Sequence, residues 1–162
     1  MKVGLISDTH SCRDERFAYH LAQCDEIWHA GDIGDYDTLL YIRGIGPTVR
    51  AVRGNIDYGQ VARECPEILR FTVEGCPVVM THVGGYPGRY APGMKQILKD
   101  CGARLFVSGH SHILKVMADK ELGLLHVNPG AAGRHGWHKQ RTLVRLTIEN
   151  GEVKDLEVIE LS

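Results

Sequence analysis

Nowhere does this 162-residue sequence approach the roughly 20 consecutive apolar residues that span a bilayer. The apolar run ahead of Asp8 and His10 is four residues long, shorter than a signal-peptide core. Cysteine is scarce and poorly spaced: the five residues Cys12, Cys24, Cys65, Cys76 and Cys101 are odd in number and contain no C-x-x-C pair. Both a complete disulfide framework and a thiolate zinc site are disfavoured on that count. A surplus of one charge is missing too. With 19 Lys and Arg against 20 Asp and Glu, the formal charge is −1, without the basic excess of a nucleic-acid binder. There is no complete P-loop or G-x-G-x-x-G fingerprint, no internal repeat and no low-complexity segment. These absences lead us to expect a protein of the reducing cytoplasm, with no membrane partner and no strong nucleic-acid footprint.

What is present is ordinary in bulk: 43% hydrophobic and 24% charged residues, in a chain long enough for one domain over 1–162. "KVGLIS", "EIWHAGD", "TVRAVRGN" and "ARLFVSGH" read as buried strands closing on polar turns. Between them "RDERFAYHLAQC", "YDTLLYIRGIG" and "PGMKQILKDCG" carry helical spacing. "ILRFTVEG" and "PVVMTH" read as a hairpin across the Gly75 to Pro77 turn, with the segment before it irregular. The last third is almost all strand, with a hairpin at Asn150-Gly151. The expectation is an α/β protein: a mainly parallel sheet continuing into antiparallel hairpins, two sheets face to face with helices outside.

The strand ends carry the chemistry. The first finishes at Asp8 and His10, the next at Asp32, then Asn55, then His82, and the last at His110 and His112. From His10 onward the sites are 22, 23, 27 and 28 residues apart, about one strand plus its return connection. In open α/β sheets ligands sit beyond the carboxyl ends of the strands, so these residues are expected to converge at one edge. A lone histidine at a strand end is usually a solvated surface residue. Five strand ends that independently end in metal-ligating types are hard to explain that way. Carboxylate, amide and imidazole without sulfur suit Mn, Fe, Ni, Co or Zn, and seven groups suffice for two ions sharing one carboxylate. Two divalent ions, two carboxylates and a bridging hydroxide leave a formal charge of about +1, a site that draws an anion and polarises a phosphoryl group.

Together "DTH" (8–10), "GD" (31–32), "GNID" (54–57), "TH" (81–82) and "GHSH" (109–112) resemble the calcineurin-like metallophosphoesterase superfamily, in particular its small YfcE-like phosphodiesterase branch. The likeness runs in order over about the first 115 residues, and "NPGAAG" (128–133) resembles a further segment of that branch. It implies a four-layer αββα sandwich of two mixed sheets. It also implies that Asp8, His10, Asp32 and His112 hold one ion and Asp32, Asn55, His82 and His110 the other, with Asp32 as bridge. Asp32, Asn55 and His110 rank as catalytic as well as metal-binding. The implied reaction is phosphodiester hydrolysis by a metal-bridging hydroxide, most often with Mn²⁺, while Ni, Zn, Fe or Co also fit.

The sequence departs from the pattern at two points. Ile56 stands where "GNH" members carry a histidine, leaving the general acid unassigned, and Val83-Gly84 replace the "GH" of "HGH". Asp35 and Asp57 are candidates for orienting imidazoles or capping helices. Arg89, Arg134 and His138, in "GGYPGRY" and "GRHGWHKQR", are the candidates for binding substrate, with His135 and Arg141 nearby. His20, His29 and His126 are read as structural. The expected partner is a small phosphoester, with a homo-oligomer left open. Two alternatives stand: a phosphomonoesterase or nucleotidase using the same site, and a protein-binding scaffold like the small retromer subunit, which would not need all seven ligands.

Overall fold

The computed structural model describes all 162 residues. Strand β1 (Lys2–Ile6), helix α1 (Glu15–Leu21), β2 (Glu26–His29), α2 (Tyr36–Arg43) and β3 (Thr48–Ala51) form two successive parallel crossover units, with short α3 (Gly59–Glu64) after them. Then come β4 (Ile68–Val73), β5 (Cys76–Thr81), a small hairpin of β6 (Gly85–Tyr86) and β7 (Arg89–Tyr90), α4 (Met94–Cys101) and β8 (Leu105–Val107). The chain ends with β9 (Lys115–Asp119), β10 (Leu124–Asn128), β11 (Thr142–Glu149) and β12 (Glu152–Glu160).

Two five-stranded mixed sheets result, ordered β12-β11-β1-β2-β3 and β4-β5-β8-β10-β9. In the first, β1, β2 and β3 are parallel with antiparallel β11 and β12 on one side; in the second, β5, β8 and β10 are parallel between antiparallel β4 and β9. Period-two alternation decides which way each side chain faces. Val3, Leu5 and Trp28 of the first sheet meet Val78, Met80, Leu105 and Val107 of the second, making the dry layer between the sheets. Their neighbours Ile6 and Ile27 face outward under Phe17 and Leu21 of α1, while Val79 and Phe106 face outward under Leu98 of α4. Both faces of the central strands are therefore buried, which is why those segments read as unbroken apolar runs. The expected αββα layering is what the chain adopts.

Local differences from the expectation have physical causes. The β4–β5 turn is at Glu74-Gly75, both at positive φ, and Pro77 belongs to β5 opposite Thr72. Proline is tolerated near a strand start. The segment read as irregular holds α3, whose six residues are too few for a legible period. The loop 84–90 is a hairpin: Pro87 and Gly88, the latter at φ +90, suit the two central positions of a type II turn. α1 is shorter than the helical pattern, because Asp14 caps it through its carboxylate to the Arg16 amide. All five cysteines are free thiols, and no helix is long and apolar enough to cross a membrane.

His126 on β10 is buried under this packing, its Nδ1 donating to the Phe106 carbonyl at 3.2 Å. Burial depresses its pKa from 6.5 to about 4, against the pull of that hydrogen bond. The folded-state value lies below the unfolded one, so the unfolded chain takes up the proton first as pH falls. This contribution to stability is fully present above about pH 6.5 and is lost towards pH 4, by about 3 kcal/mol for this one group. Urea unfolding across that range should show the decline, and His126→Asn, which keeps a donor near Nδ1, should flatten it by a comparable amount.

Candidate metal centre

The polar residues that end the strands are gathered at one rim, where the carboxyl ends of β1, β2, β3, β5 and β8 lie side by side. Backbone hydrogen bonds stitch their loops together: Asp8 N–H to Gly31 O (2.9 Å), His10 N–H to Asp32 O (3.0 Å) and Gly109 N–H to His82 O (3.0 Å). Five of the seven candidate ligands, Asp8, His10, Asp32, His110 and His112, hold positive φ values between 44° and 73°. Non-glycine residues seldom adopt that region, and clusters of them mark sites where the surrounding structure imposes the backbone. Two motif glycines allow the loops to close so tightly. A Cβ on Gly54 would run into the carboxylate and amide of Asp32, and one on Gly109 into the Ser7 hydroxyl and Asp8 carboxylate.

Six of the ionisable candidates fall into two trios, Asp8, His10 and His112 in one and Asp32, His82 and His110 in the other, with ligand atoms in each trio within 4.8 Å of one another. Asn55 Oδ1 lies 3.0 Å from His110 Nδ1, which places it with the second trio. The carboxylates link the two. Asp32 Oδ2 is 3.4 Å from His10 Nε2 and 3.2 Å from His82 Nε2, and Asp8 Oδ1 is 3.2 Å from His112 Nε2 and 3.8 Å from His82 Nε2. Each carboxylate has its other oxygen committed to the protein. Asp8 Oδ2 accepts from Ser7 Oγ (2.7 Å) and the His110 amide (3.1 Å), and Asp32 Oδ1 accepts from the Ile56 amide (3.1 Å).

The uncommitted atoms are the informative ones. Asp8 Oδ1, His10 Nε2 and His82 Nε2 are buried and lack any hydrogen-bond partner. His82 Nδ1 donates to Ala30 O at 2.7 Å, so the neutral ring presents its Nε2 lone pair to the Asp32 and Asp8 oxygens. Acceptor thus faces acceptor, an arrangement that a proton or a cation between them relieves. Ionisation reports the same field. Burial alone would raise the carboxyls, yet His112, His82 and Ser7 around Asp8, and His82, the Ile56 amide and His10 around Asp32, leave both below the ordinary carboxylate range. His112 is raised chiefly by the Asp8 carboxylate beside it, and His82 is raised by Asp32 and Asp8 despite burial. His10 is lowered by burial, against Asp32 and Asp8. An oxygen-and-imidazole donor set with orphaned buried lone pairs fits divalent cations of the Mn, Fe, Co, Ni or Zn kind.

The other predicted residues fall in different places. Arg89 lines a cavity on the far side of the His110–Ser111 turn. Arg134 does not reach the site: its guanidinium lies on Cys12 Sγ (3.0 Å) and beside Asp14 (3.6 Å), drawn away by that carboxylate. Arg141 is structural, bonded to Asp14 Oδ2 and Ala132 O. His138 sits at the site but with both ring nitrogens on protein atoms, Gly133 O (2.8 Å) and His112 Nδ1 (3.2 Å), which leaves none for substrate. His135 stacks on the His10 ring, centroids 4.7 Å apart. Together with exposed Trp137 it walls a cavity of about 500 Å³ that opens onto His10, Asp32, His110 and His112. Asp35 is a helix cap, accepting from the Thr38 amide. Asp57 neither caps a helix nor orients a ring. Its carboxylate takes the amides of Ile33, Gly34 and Gly54, so it fastens the Asp32 loop to the Asn55 loop. Asn128, whose role the sequence left unread, donates to Gly109 O (3.0 Å) and Ser111 Oγ (3.1 Å) and holds the two-histidine turn; its place in "NPG" was the available signal. His29 is buried, bonded to the Gly31 amide and Thr9 Oγ1, and pushed down to about 4 chiefly by burial.

Known proteins share both the sequence pattern and the fold. The family description "Calcineurin-like phosphoesterase superfamily domain" matches residues 1–151. A probable metallophosphoesterase of Methanothermobacter thermautotrophicus is 31% identical over 173 aligned residues, covering 98% of this chain and 92% of the relative. Among solved structures, one described as a novel archaeal phosphodiesterase superposes with a TM-score of 0.77 at 18% identity, over 99% of this chain and 100% of the other. Vps29 of Entamoeba histolytica in complex with Zn²⁺ superposes at 0.74 and 18%, over 99% of both chains. Sequence, rim and fold thus agree, and the chain belongs to the calcineurin-like phosphoesterase superfamily of metal-dependent hydrolases acting on phosphoester bonds.

Proposed function

We propose that this protein hydrolyses a phosphodiester with two divalent ions at the rim described above, Mn²⁺ foremost. Asp8, His10, Asp32 and His112 would hold one ion and Asp32, Asn55, His82 and His110 the other, with Asp32 shared. The observation that carries the reading is the set of buried, partnerless atoms Asp8 Oδ1, His10 Nε2 and His82 Nε2, aimed at one another across two neighbouring trios. Divalent ions so held would supply Lewis acidity towards a phosphoryl oxygen and lower the pKa of water. A diester reading goes with the overlap with a structure described as an archaeal phosphodiesterase.

The chain's own part is to present lone pairs in fixed directions. Ala30 O takes the His82 Nδ1 proton and thereby fixes the tautomer whose Nε2 is free. His112 is set in the same way by a longer relay. Because His138 Nε2 must carry the proton it gives Gly133 O, its Nδ1 is an acceptor, so His112 Nδ1 is the donor in their 3.2 Å contact. His112 Nε2 is therefore the lone pair, turned to Asp8 Oδ1 at 3.2 Å. His138 is in this reading a positioning residue for His112. Asp57 and Asn128 keep the loops that bear Asp32, Asn55, His110 and His112 at their spacing. Ile56 offers no proton to a leaving group, which suits leaving groups that are already weakly basic.

The reading is tested on protein purified without metal, then supplied with Mn²⁺ and assayed on bis(p-nitrophenyl) phosphate against p-nitrophenyl phosphate. Metal-dependent turnover with diester preferred supports it; monoester preferred makes the protein a phosphomonoesterase, and metal binding without turnover of either points to a Vps29-like binding role. Asp32→Ala should lose both ions by elemental analysis and at least about a thousandfold in kcat, since it removes the shared ligand; near-normal turnover contradicts the bridging role. His138→Ala should weaken Mn²⁺ binding by calorimetry about tenfold to a hundredfold, the range for a partner that orients a ligand imidazole. It should also mix the His112 tautomers, read by ¹⁵N shifts of the metal-free protein.

A further inference from the structure

The His110–Ser111 turn has a second side. There a cavity of about 380 Å³ is lined by Tyr86, Arg89, His110, Ser111, Ile113 and Lys115 among others, and no Asp or Glu takes part. In a chain with one more acid than base overall, two cations lining one cavity without a carboxylate form a marked local excess. Both are held by ordered elements. Arg89 opens β7 directly opposite Tyr86 in the tight Pro87-Gly88 hairpin, and Tyr90 Oη ties that hairpin to β9 by donating to Asp119 at 2.7 Å. Lys115 opens β9, paired with Asn128, and its ammonium lies 3.6 Å from the centroid of the Tyr86 ring. A cation–π contact leaves the ammonium's hydrogens free for an anion in a way that a salt bridge would not. His110, Ser111 and Ile113 line both this cavity and the one that opens onto the metal-ligand trios, so the two compartments share a wall.

We propose that this compartment is an anion subsite for a second phosphate of the substrate, one linkage away from the phosphate that is cleaved, with Arg89 and Lys115 as its ligands. The inference rests on the phosphodiesterase reading above and narrows its substrate class to phosphodiesters that carry a further phosphoryl group, as nucleoside bisphosphate esters and short oligonucleotides do. Guanidinium and ammonium recognise a phosphate dianion by charge-assisted hydrogen bonds, Arg89 through two parallel N–H groups and Lys115 as a point charge. Such a subsite selects a substrate by its tail and leaves the reaction at the trios unchanged.

The test uses a matched pair, thymidine 5′-(p-nitrophenyl phosphate) with and without a 3′-phosphate, so that the cleaved bond is identical. Wild-type protein should favour the 3′-phosphorylated compound by about tenfold in kcat/KM, the worth of one charge-assisted contact. In Arg89→Ala/Lys115→Ala that ratio should fall towards one. A ratio near one in the wild type, or one retained by the double variant, overturns the proposal. If neither compound is cleaved, it is the phosphodiesterase reading that fails, and calorimetric titration with thymidine 3′,5′-bisphosphate decides the subsite separately: binding lost in the double variant upholds it, equal affinity refutes it.

Discussion

Two carboxylates, each half satisfied, govern this structure. Asp8 and Asp32 each spend one oxygen on hydroxyl or amide donors of the protein and leave the other facing imidazole lone pairs. Buried acceptors without donors are costly, typically 1–3 kcal/mol apiece and more for charged groups. A chain that folds around such a cluster is poised for a cation, and everything at the rim serves to keep the unpaired atoms pointing inward. The same two carboxylates raise His82 and His112, so the field at the rim favours positive charge.

Holding that cluster takes the whole sandwich. Its members come from the ends of five strands in two different sheets, so the trios exist only because the sheets pack face to face through Val3, Leu5, Trp28, Met80 and Val107. The strain is local and the support distributed. Five of the candidate ligands sit in left-handed backbone, at a cost of roughly 1 kcal/mol or more each. The loop-to-loop hydrogen bonds, the Asp57 carboxylate and the Asn128 amide oppose that cost next to where it arises. The two trios are not supported alike. His82 leans on a strand-end carbonyl in the core, whereas His10 and His112 lean on His135 and His138 of the 133–138 segment, so the Asp8 trio draws support from the connection between β10 and β11.

The cleft around the trios divides the work by chemistry. The centre gathers carboxylates and imidazoles, the face under Trp137 and His135 is aromatic, and the face under Arg89 and Lys115 is cationic. Because the turn of His110 and His112 forms the partition between the two faces, one short loop both supplies imidazoles and separates the compartments. Within a common fold, such wall residues rather than the ligands themselves differentiate substrates.

Much of this was legible before any coordinates. Short apolar runs marked the buried strands, helical spacing marked three of four helices, and small-residue turns at strand ends singled out the seven residues that meet at the rim, because buried strands and metal chemistry each demand particular residue types in series. α3 and the β6–β7 hairpin escaped because six and two residues are too short to show a period. Misread were Arg134, His138 and Asp57, whose residue types fit several roles. Which carboxylate Arg134 would find, which nitrogen of His138 would face His112, and which distant amides would reach Asp57 depend on chain segments 23 to 122 residues away. Residue chemistry by itself determined what the site is made of. Only the tertiary structure decided how its atoms are paired and which are left unpaired, since hydrogen bonds act over about 3 Å and their partners meet through folding alone.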